Sequence, residues 1–244
     1  MGGFRSDQAR GPDGKWIKEK IGGTVVGAAL VATMMATPIG AGVTASGGAL
    51  SAESSIGQLA RSTLDKAKQS AKKGQRRTTW KRLDLREVTR KSDRVADCAV
   101  HSYGRVQRFL ATTPCRSLYR VLYALDGRDG DRVVVSVSWV RMRSTGAARA
   151  LRNLVDVHGT GNVRPLPGWL VGAGRIDWTG WNYDSVRSGR QVTIAEVEPL
   201  RGNPSAEYMD AVAEAAAQVP PTSVTSGMAT AGSEVTRAAM VECS

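Results

Sequence analysis

DRVVVSVSWVRM, residues 131–142, has the side-chain alternation with a period of two that is typical of a β-strand. One face of this strand would carry four apolar side chains, those of Val133, Val135, Val137 and Trp139. The opposite face would carry Ser136 and Ser138. Because Trp139 continues the apolar face, we expect it to be a structural core residue.

The segments around this strand indicate a hairpin followed by a helix. A run rich in β-formers at 119–125 and a turn at 127–130 precede the strand. Ser144 follows it in the position of a helix N-cap. Apolar side chains then recur at helical spacing, at Ala147, Ala148, Leu151, Leu154 and Val155.

The same order repeats further along the chain. A second hairpin is predicted over 175–186 and 190–200, and a helix follows that ends before Pro220. Helical spacing near 95–110 predicts one more helix before the first hairpin. Two β-β-α units in series predict an α+β domain, residues 95–220, in which an antiparallel sheet has its helices on one face. Residues 221–244 are expected to form a flexible tail.

The net charge of +12 is concentrated in one short region. Residues 61–94 carry thirteen basic and four acidic side chains, whereas residues 95–244 carry sixteen basic and fourteen acidic ones. A specific nucleic-acid-binding fold would spread its basic residues over a folded face. The charge distribution therefore argues against specific nucleic-acid binding by the predicted domain.

An uncharged run extends from Ile21 to Ala52, and its first part, residues 21–43, is long enough to cross a bilayer as a helix. Three interpretations fit this part: a transmembrane anchor, a cleaved secretory signal, or a buried hairpin or flexible tail. Basic side chains in residues 1–20 favour a cytoplasmic N-terminal tail. We expect a single-pass protein of the cytoplasmic membrane with its C-terminal domain outside, or a secreted protein if the segment is cleaved.

Residues 44–94 are expected to form a solvated basic linker, and a helical stretch before Gly74 is one interpretation of its first part. Its positive charges would attract a membrane surface, anionic lipid headgroups, a cell-wall polymer or nucleic acid without specificity. The side chains assigned to this role are Lys66, Lys68, Lys72, Lys73, Arg76, Arg77, Lys81 and Arg82. Trp80 fits either an interfacial anchor or the first residue that packs on the domain.

The cysteines Cys98 and Cys115 are separated by sixteen residues, and Cys243 lies near the C-terminus. In a domain outside the membrane, a disulfide between the first two is expected, which would leave Cys243 as an odd thiol. One alternative is a pair of buried thiols. The other is a cysteine nucleophile that uses His101 or His158, although no third orienting group stands out.

Two further patterns could form sites, but each has a simpler structural interpretation. The turn HGTGN, residues 158–162, follows a helix and lacks the lysine of a phosphate-binding loop, so Gly159 is expected at the C′ position of that helix. Glu196 and Glu198 share one face of a strand, and we expect that face to contact solvent.

Three tryptophans fall around the second predicted hairpin, and they fit either a ligand-binding surface or core volume: Trp169, Trp178 and Trp181. With two histidines and no CxxC spacing, the sequence predicts no metal site. No motif implies a cofactor.

One resemblance covers roughly residues 95–200. The stretches DCAVHSYGRVQRFLATTPCRSLYRVLYAL, VVVSVSWVRM and VDVHGTGNVRPL resemble a group of membrane-anchored actinobacterial proteins in which a Cys…SYG…PC pattern precedes a hairpin and a GTG turn. The matching residues are Cys98, Ser102, Tyr103, Gly104, Pro114 and Cys115. The group has no known activity, so the resemblance implies only an architecture and a compartment.

Together these features predict a non-catalytic, membrane-tethered envelope protein whose outer domain binds an unknown envelope component or protein partner. The alternative is an intracellular protein, associated with the membrane or with nucleic acid, that uses residues 61–94. An enzyme is a third hypothesis, and it would require a pocket with converging titratable groups.

Overall fold

The computed structural model describes the backbone of residues 48–221, together with the side chains from residue 60 onward except that of residue 129. The predicted segments 1–20 and 21–43, and all but the first residue of 221–244, lie outside this range. The helices and strands are α1 (Gly48–Lys72), α2 (Arg76–Arg82), β1 (Arg86–Val95), α3 (Gly104–Thr112), β2 (Cys115–Asp126), β3 (Arg132–Met142), α4 (Thr145–Val155), β4 (Tyr183–Ser188), β5 (Gln191–Arg201) and α5 (Ala206–Ala217). None of the helices within the described range has both the length and the hydropathy needed to cross a membrane.

The five strands form one antiparallel sheet in the order β1-β2-β3-β5-β4, which confirms the α+β class. The two predicted hairpins are present as β2–β3 and β4–β5, and each is followed by a helix. Ser144 caps α4 by accepting a hydrogen bond from the Ala147 amide at 3.1 Å. Ser205 caps α5 in the same way, through the Tyr208 amide at 3.2 Å. Turn residues and N-cap hydroxyls therefore set where the hairpins turn and where α4 and α5 begin.

Trp139 is a core residue, as predicted, with 3% of its surface exposed. It shares a buried cluster with Val133, Val135 and Val137. Its ring stacks on Tyr119 with centroids 5.1 Å apart. Its Nε1 donates a hydrogen bond to a main-chain oxygen just beyond α5, 2.8 Å away. The predicted apolar face of β3 is therefore the buried face under α5.

Helices pack on both faces of the sheet, so the expectation of helices on one face was wrong. Helices α1, α2 and α5 contribute to the cluster on the Trp139 face. Helices α3 and α4 cover part of the opposite face, and a short 3-10 turn, Gly168–Val171, covers another part. Ser136 and Ser138 on that second face are consequently buried. Serine side chains are small enough to be buried under helices, so their presence did not show whether this face contacts solvent.

The interpretation of residues 44–94 as a linker was wrong for the part that the structure describes, because α1, α2 and β1 belong to the domain. Ala67 and Ala71 lie one helical turn apart in α1 and are fully buried. Trp80 in α2 is 1% exposed and meets the Tyr123 ring edge-on at 5.6 Å. Trp80 is thus a core residue. The two alanines gave a weak sequence signal, since their small side chains add little hydrophobicity yet allow close helix packing.

The helix predicted near 95–110 is present only in its second half. Residues up to Val95 extend β1 along the edge of β2, and α3 begins at Gly104. Gly104, the first residue of α3, has a φ of +65°, which glycine adopts at little cost. Tertiary contacts replace the predicted first turns of the helix: Val95 pairs with Leu118, Cys98 is bonded to Cys115, and Ser102 forms a bridge with Val163.

Candidate functional site

Cys98 and Cys115 form the predicted disulfide, with Sγ atoms 1.91 Å apart and Cα atoms 6.1 Å apart. The bond joins the segment between β1 and α3 to the first residue of β2. Both cysteines are buried. Because the sulfurs are bonded to each other, neither is a thiol nucleophile in this structure. Cys243 lies outside the described residues.

The structure separates the eight predicted basic residues into two groups. Lys68 is paired with Glu214 at 2.9 Å, and Arg76 is paired with Glu87 at 2.7 Å. The other six are exposed: Lys66, Lys72, Lys73, Arg77, Lys81 and Arg82. The two ion pairs stabilise packing within the domain, which leaves the six exposed side chains as the candidates for binding an anion.

Strand β1 adds exposed positive charge beside α2. Arg90 and Arg94 lie opposite Tyr123 and Tyr119 in the β1–β2 register, so they share the sheet face that α2 covers. The Arg94 guanidinium lies 5.4 Å from the centroid of the Tyr119 ring. Because α1 packs on α2 and α2 contacts β1, the exposed basic residues lie on neighbouring elements.

The three tryptophans predicted as a possible ligand surface are not brought together. Trp169 is 70% exposed on the 3-10 turn. Trp178 packs against the cluster that includes Leu166, whereas Trp181 packs against the cluster on α3 and α4. Trp181 also stacks on His158, a lining residue of a cavity, with ring centroids 5.5 Å apart.

The turn at 158–162 forms hydrogen bonds with both the end of α4 and the start of α3. Helix α4 ends at Val155 with Asp156 as its C-cap, so Gly159 is not the C′ residue and that prediction was wrong. Thr160 closes the turn instead, since its hydroxyl donates to the oxygens of Leu154 and Val157 at 2.7 and 2.9 Å. The carbonyl of Thr160 accepts from two amides in the first turn of α3. These amides are thereby occupied, which excludes a phosphate-cradling role for them.

A cavity of about 240 Å³ lies between this turn, the end of α4 and the second hairpin. Its walls include four glycines, two valines, polar side chains and aromatic rings. The lining residues are Tyr103, Gly104, Val155, Val157, His158, Gly159, Gly161, Asn162, Thr179, Gly180, Tyr183 and Glu196. Glu196 is the one carboxylate in this set, and the set contains no Lys or Arg.

Glu196 and Glu198 are buried, contrary to the expectation of a solvent face, with 4% and 6% of their surfaces exposed. The side-chain amide of Asn162 donates a hydrogen bond to Glu196. Thr179 donates to Glu198 through both its amide and its hydroxyl, each at 2.7 Å. Burial raises the pKa of Glu198 above its usual value, although the hydrogen bonds from Thr179 oppose this shift. The prediction failed because α4 and the following loop cover this face of β5.

Tyr103, which lines the cavity, has a shifted pKa. Burial raises the pKa of Tyr103 to about 12, and the nearby Glu196 carboxylate adds to this effect while Arg164 opposes it. Tyr103 therefore stays a neutral phenol at physiological pH. The cavity thus offers one carboxylate, neutral hydrogen-bonding groups and aromatic faces.

A second, larger concavity of about 390 Å³ is lined by residues of both charge signs around Gly127. Its charges are largely matched within the protein. Arg86 pairs with Asp126 at 2.9 Å, and Arg128 pairs with Asp84 at 2.8 Å. Two of its three carboxylates are thus paired with arginine, while Lys81, one of the six exposed basic residues, also lines it.

The described residues contain no group of three His, Cys, Asp or Glu side chains able to hold a metal ion. No family model, curated protein or solved structure matches the chain. Sequence reasoning overlooked Tyr103, Asn162 and Tyr183 as lining residues, because they come from three separate loops and strands. The burial of Glu196 could have been expected from its position between Ala195 and Val197, inside an apolar strand.

Proposed function

We propose that the chain is a non-catalytic envelope protein that is tethered to the cytoplasmic membrane by residues 21–43 and binds an anionic envelope polymer outside it. The proposed contact is the basic surface, defined as the exposed side chains of Lys66, Lys72, Lys73, Arg77, Lys81, Arg82, Arg90 and Arg94. One observation carries the proposal: these side chains form no ion pair with any other described residue.

Location on folded elements favours binding at this surface. Charges on a flexible linker would lose conformational freedom when they bind, whereas charges on α1, α2 and β1 are already held near one another. Each basic residue close to an anionic surface contributes roughly 1 kcal/mol, over a Debye length of about 8–10 Å. Several such residues acting together would hold a polyanion at low ionic strength.

Two observations support a location outside the cytoplasm. Disulfides persist in oxidising compartments, and Cys98 and Cys115 are bonded. The uncharged run at 21–43 has the length of a membrane span, with basic residues before it. The resemblance to membrane-anchored actinobacterial proteins agrees with both.

The binding test uses the full chain in zwitterionic nanodiscs, titrated with polyglycerol phosphate as the probe. A variant with Lys72, Lys73, Arg77 and Lys81 changed to Gln loses four charges from the basic surface. The matched control changes four exposed arginines elsewhere to Gln: Arg105, Arg108, Arg116 and Arg149. We expect the control to bind like the wild type, the first variant to bind at least about tenfold more weakly, and binding to fade as salt rises.

Equal binding by the variant and the control would overturn the assignment to the basic surface. Two further arms replace the polymer with nanodiscs that contain phosphatidylserine and with duplex DNA. Preference for the anionic nanodiscs would identify lipid as the anionic partner. Salt-resistant, sequence-selective binding of DNA would overturn the envelope proposal in favour of the intracellular alternative.

Orientation is tested through Cys243. A membrane-impermeant maleimide applied to intact cells is expected to label the wild type and not Cys243→Ser. Labelling of the wild type only after lysis would contradict a C-terminal domain outside the membrane.

A further inference from the structure

We propose that the outer edge of β1 binds an extended acidic peptide segment of another protein, which joins the sheet as an additional strand. β1 stands at one end of the strand order, so it has a neighbouring strand on one side only. The inference goes beyond the binding of an anionic polymer and does not depend on it. Arg90 and Arg94 belong to both surfaces, so the test must separate strand pairing from attraction by charge alone.

The backbone along the outer edge of β1 is the first reason. β1 pairs with β2 from Arg86 to Val95, and a bulge between Glu87 and Thr89 leaves residues 89–95 in regular register. No backbone hydrogen bond joins this run to a described residue outside β2. In an edge strand, alternate N–H and C=O groups point away from the sheet and can pair with an incoming strand. The regular run offers such a ladder over a length of about 23 Å.

Charge is the second reason, and it selects an acidic partner. Three basic side chains of this edge are exposed and form no ion pair with a described residue: Arg90, Lys91 and Arg94. The two acidic side chains of β1 are already paired within the domain, Glu87 with Arg76 at 2.7 Å and Asp93 with Arg120. Because opposite charges on facing strands stabilise a sheet, this edge favours a strand that carries Asp or Glu.

The same charges disfavour a second copy of this chain as the partner. Two β1 strands paired edge to edge would bring together the unpaired positive charges of both copies, and like charges on facing strands destabilise a sheet. Basic side chains and a bulge at an edge also deter pairing with uncharged strands. An acidic segment is the occupant that these features do not oppose.

The two faces of the edge differ, which indicates how the added strand would be patterned. Arg90 and Arg94 lie on the sheet face that α2 covers. Lys91 lies on the other face, opposite Leu122, which belongs to the apolar cluster beneath the 3-10 turn. That turn contacts β1 and carries Trp169, whose side chain is 70% exposed. A strand with acidic residues on one face and apolar residues on the other would match both faces.

The experiment compares two capped acidic peptides, acetyl-EVEVEVE-amide and acetyl-EPEPEPE-amide. Each is titrated into the full chain in zwitterionic nanodiscs by isothermal titration calorimetry. Both peptides present the same glutamates to a basic surface, but proline has no N–H and cannot complete a strand ladder. We expect the valine peptide to bind at least about tenfold more tightly than the proline peptide. Equal affinities, or no binding of the valine peptide, would overturn the proposal.

Hydrogen exchange measured by mass spectrometry locates the added strand. Amides of residues 89–95 that do not bond to β2 are expected to exchange more slowly when the valine peptide is bound, and to be unaffected by the proline peptide. Strand β3 is the internal reference, because it has neighbouring strands on both sides. Protection of β4, at the other end of the sheet, in place of β1 would overturn the assignment.

Two triple variants separate the edge from the rest of the basic surface. The edge variant changes Arg90, Lys91 and Arg94 to Gln, and the comparison variant changes Lys72, Lys73 and Lys81 to Gln. We expect the edge variant to bind the valine peptide at least about tenfold more weakly than the wild type and the comparison variant to be affected less. Equal weakening by the two variants would assign the peptide to the basic surface as a whole and overturn the proposal.

Self-association is the remaining outcome. Sedimentation velocity of the nanodiscs without peptide is expected to show single particles. Pairing of the nanodiscs that the added valine peptide disperses would identify a second copy of this chain as the occupant of the edge, which would overturn the assignment to an acidic partner.

Discussion

Gly161 has a φ of +90°, and a Cβ at this position would overlap the carbonyl group of Tyr103. Gly161→Ala is therefore expected to combine backbone strain with a steric clash and to lower the free energy of unfolding by about 3 kcal/mol or more. Gly172→Ala is the control, because Gly172 also has a positive φ but no atom within 4 Å of its Cβ position. Urea denaturation of both variants measures the difference, and equal costs would show that the turn at 158–162 can move.

Trp139 tests the assignment of the buried face of β3. Trp139→Ala removes a ring that stacks on Tyr119 and an Nε1 that donates to the Val219 carbonyl, so a loss of about 3–5 kcal/mol is expected. Trp169→Ala is the control, since the 70% exposed ring of Trp169 should contribute within about 0.5 kcal/mol. Unfolding curves that ranked the two variants in the opposite order would refute the core assignment.

The buried carboxyl of Glu198 is expected to make the folding stability depend on pH. Its folded-state pKa is raised by burial, so the folded protein disfavours ionisation of this carboxyl relative to the unfolded chain. The resulting stability is fully present below the unfolded-state pKa and is lost as the pH rises through the folded-state pKa. Glu198→Gln removes this titration. We expect the wild type to gain stability relative to Glu198→Gln as the pH falls from about 7 to about 4, and a constant difference in unfolding free energy would contradict the assignment.

At the scale of elements, α1, α2 and β1 complete the core from the N-terminal side. They supply Ala67, Ala71 and Trp80 to the cluster around Tyr123, and β1 covers the edge of β2. A chain beginning at residue 95 is therefore expected to expose apolar surface and to lack cooperative unfolding, whereas residues 48–244 should unfold cooperatively. Thermal unfolding followed by near-ultraviolet circular dichroism compares the two. A cooperative transition in the shorter chain would show that the first three elements are dispensable.

Some elements follow from short-range signals and others depend on distant packing. The two hairpins and the Ser144 cap were recognisable because turn residues and N-cap hydroxyls act on backbone only a few residues away. The roles of α1 and β1 were not recognisable. Ala67 and Ala71 become core residues because α2 and α5 pack against α1.

At the scale of the whole molecule, the disulfide joins the loop after β1 to β2 across 17 positions of sequence. Closing a loop of this length restricts the unfolded chain and stabilises the fold by roughly 3 kcal/mol in the chain-entropy model. The double change of Cys98 and Cys115 to Ala is expected to lower the urea midpoint of the full chain accordingly. Cys243→Ser should leave the midpoint unchanged under the same non-reducing conditions, and an unaltered midpoint in the double variant would show that the bond contributes little.

The α+β class, the buried face of β3, both hairpins and the expected Cys98–Cys115 bond could all be predicted from the amino-acid pattern. Each of these depends on alternation, turn chemistry or spacing, which are properties of neighbouring residues. The coverage of both sheet faces, the place of residues 61–94 in the domain and the burial of Glu196 beside a cavity depend on tertiary packing and were not predictable from the pattern. Alternation shows which side chains share a face, but burial depends on what packs over that face, and the covering elements come from distant parts of the chain.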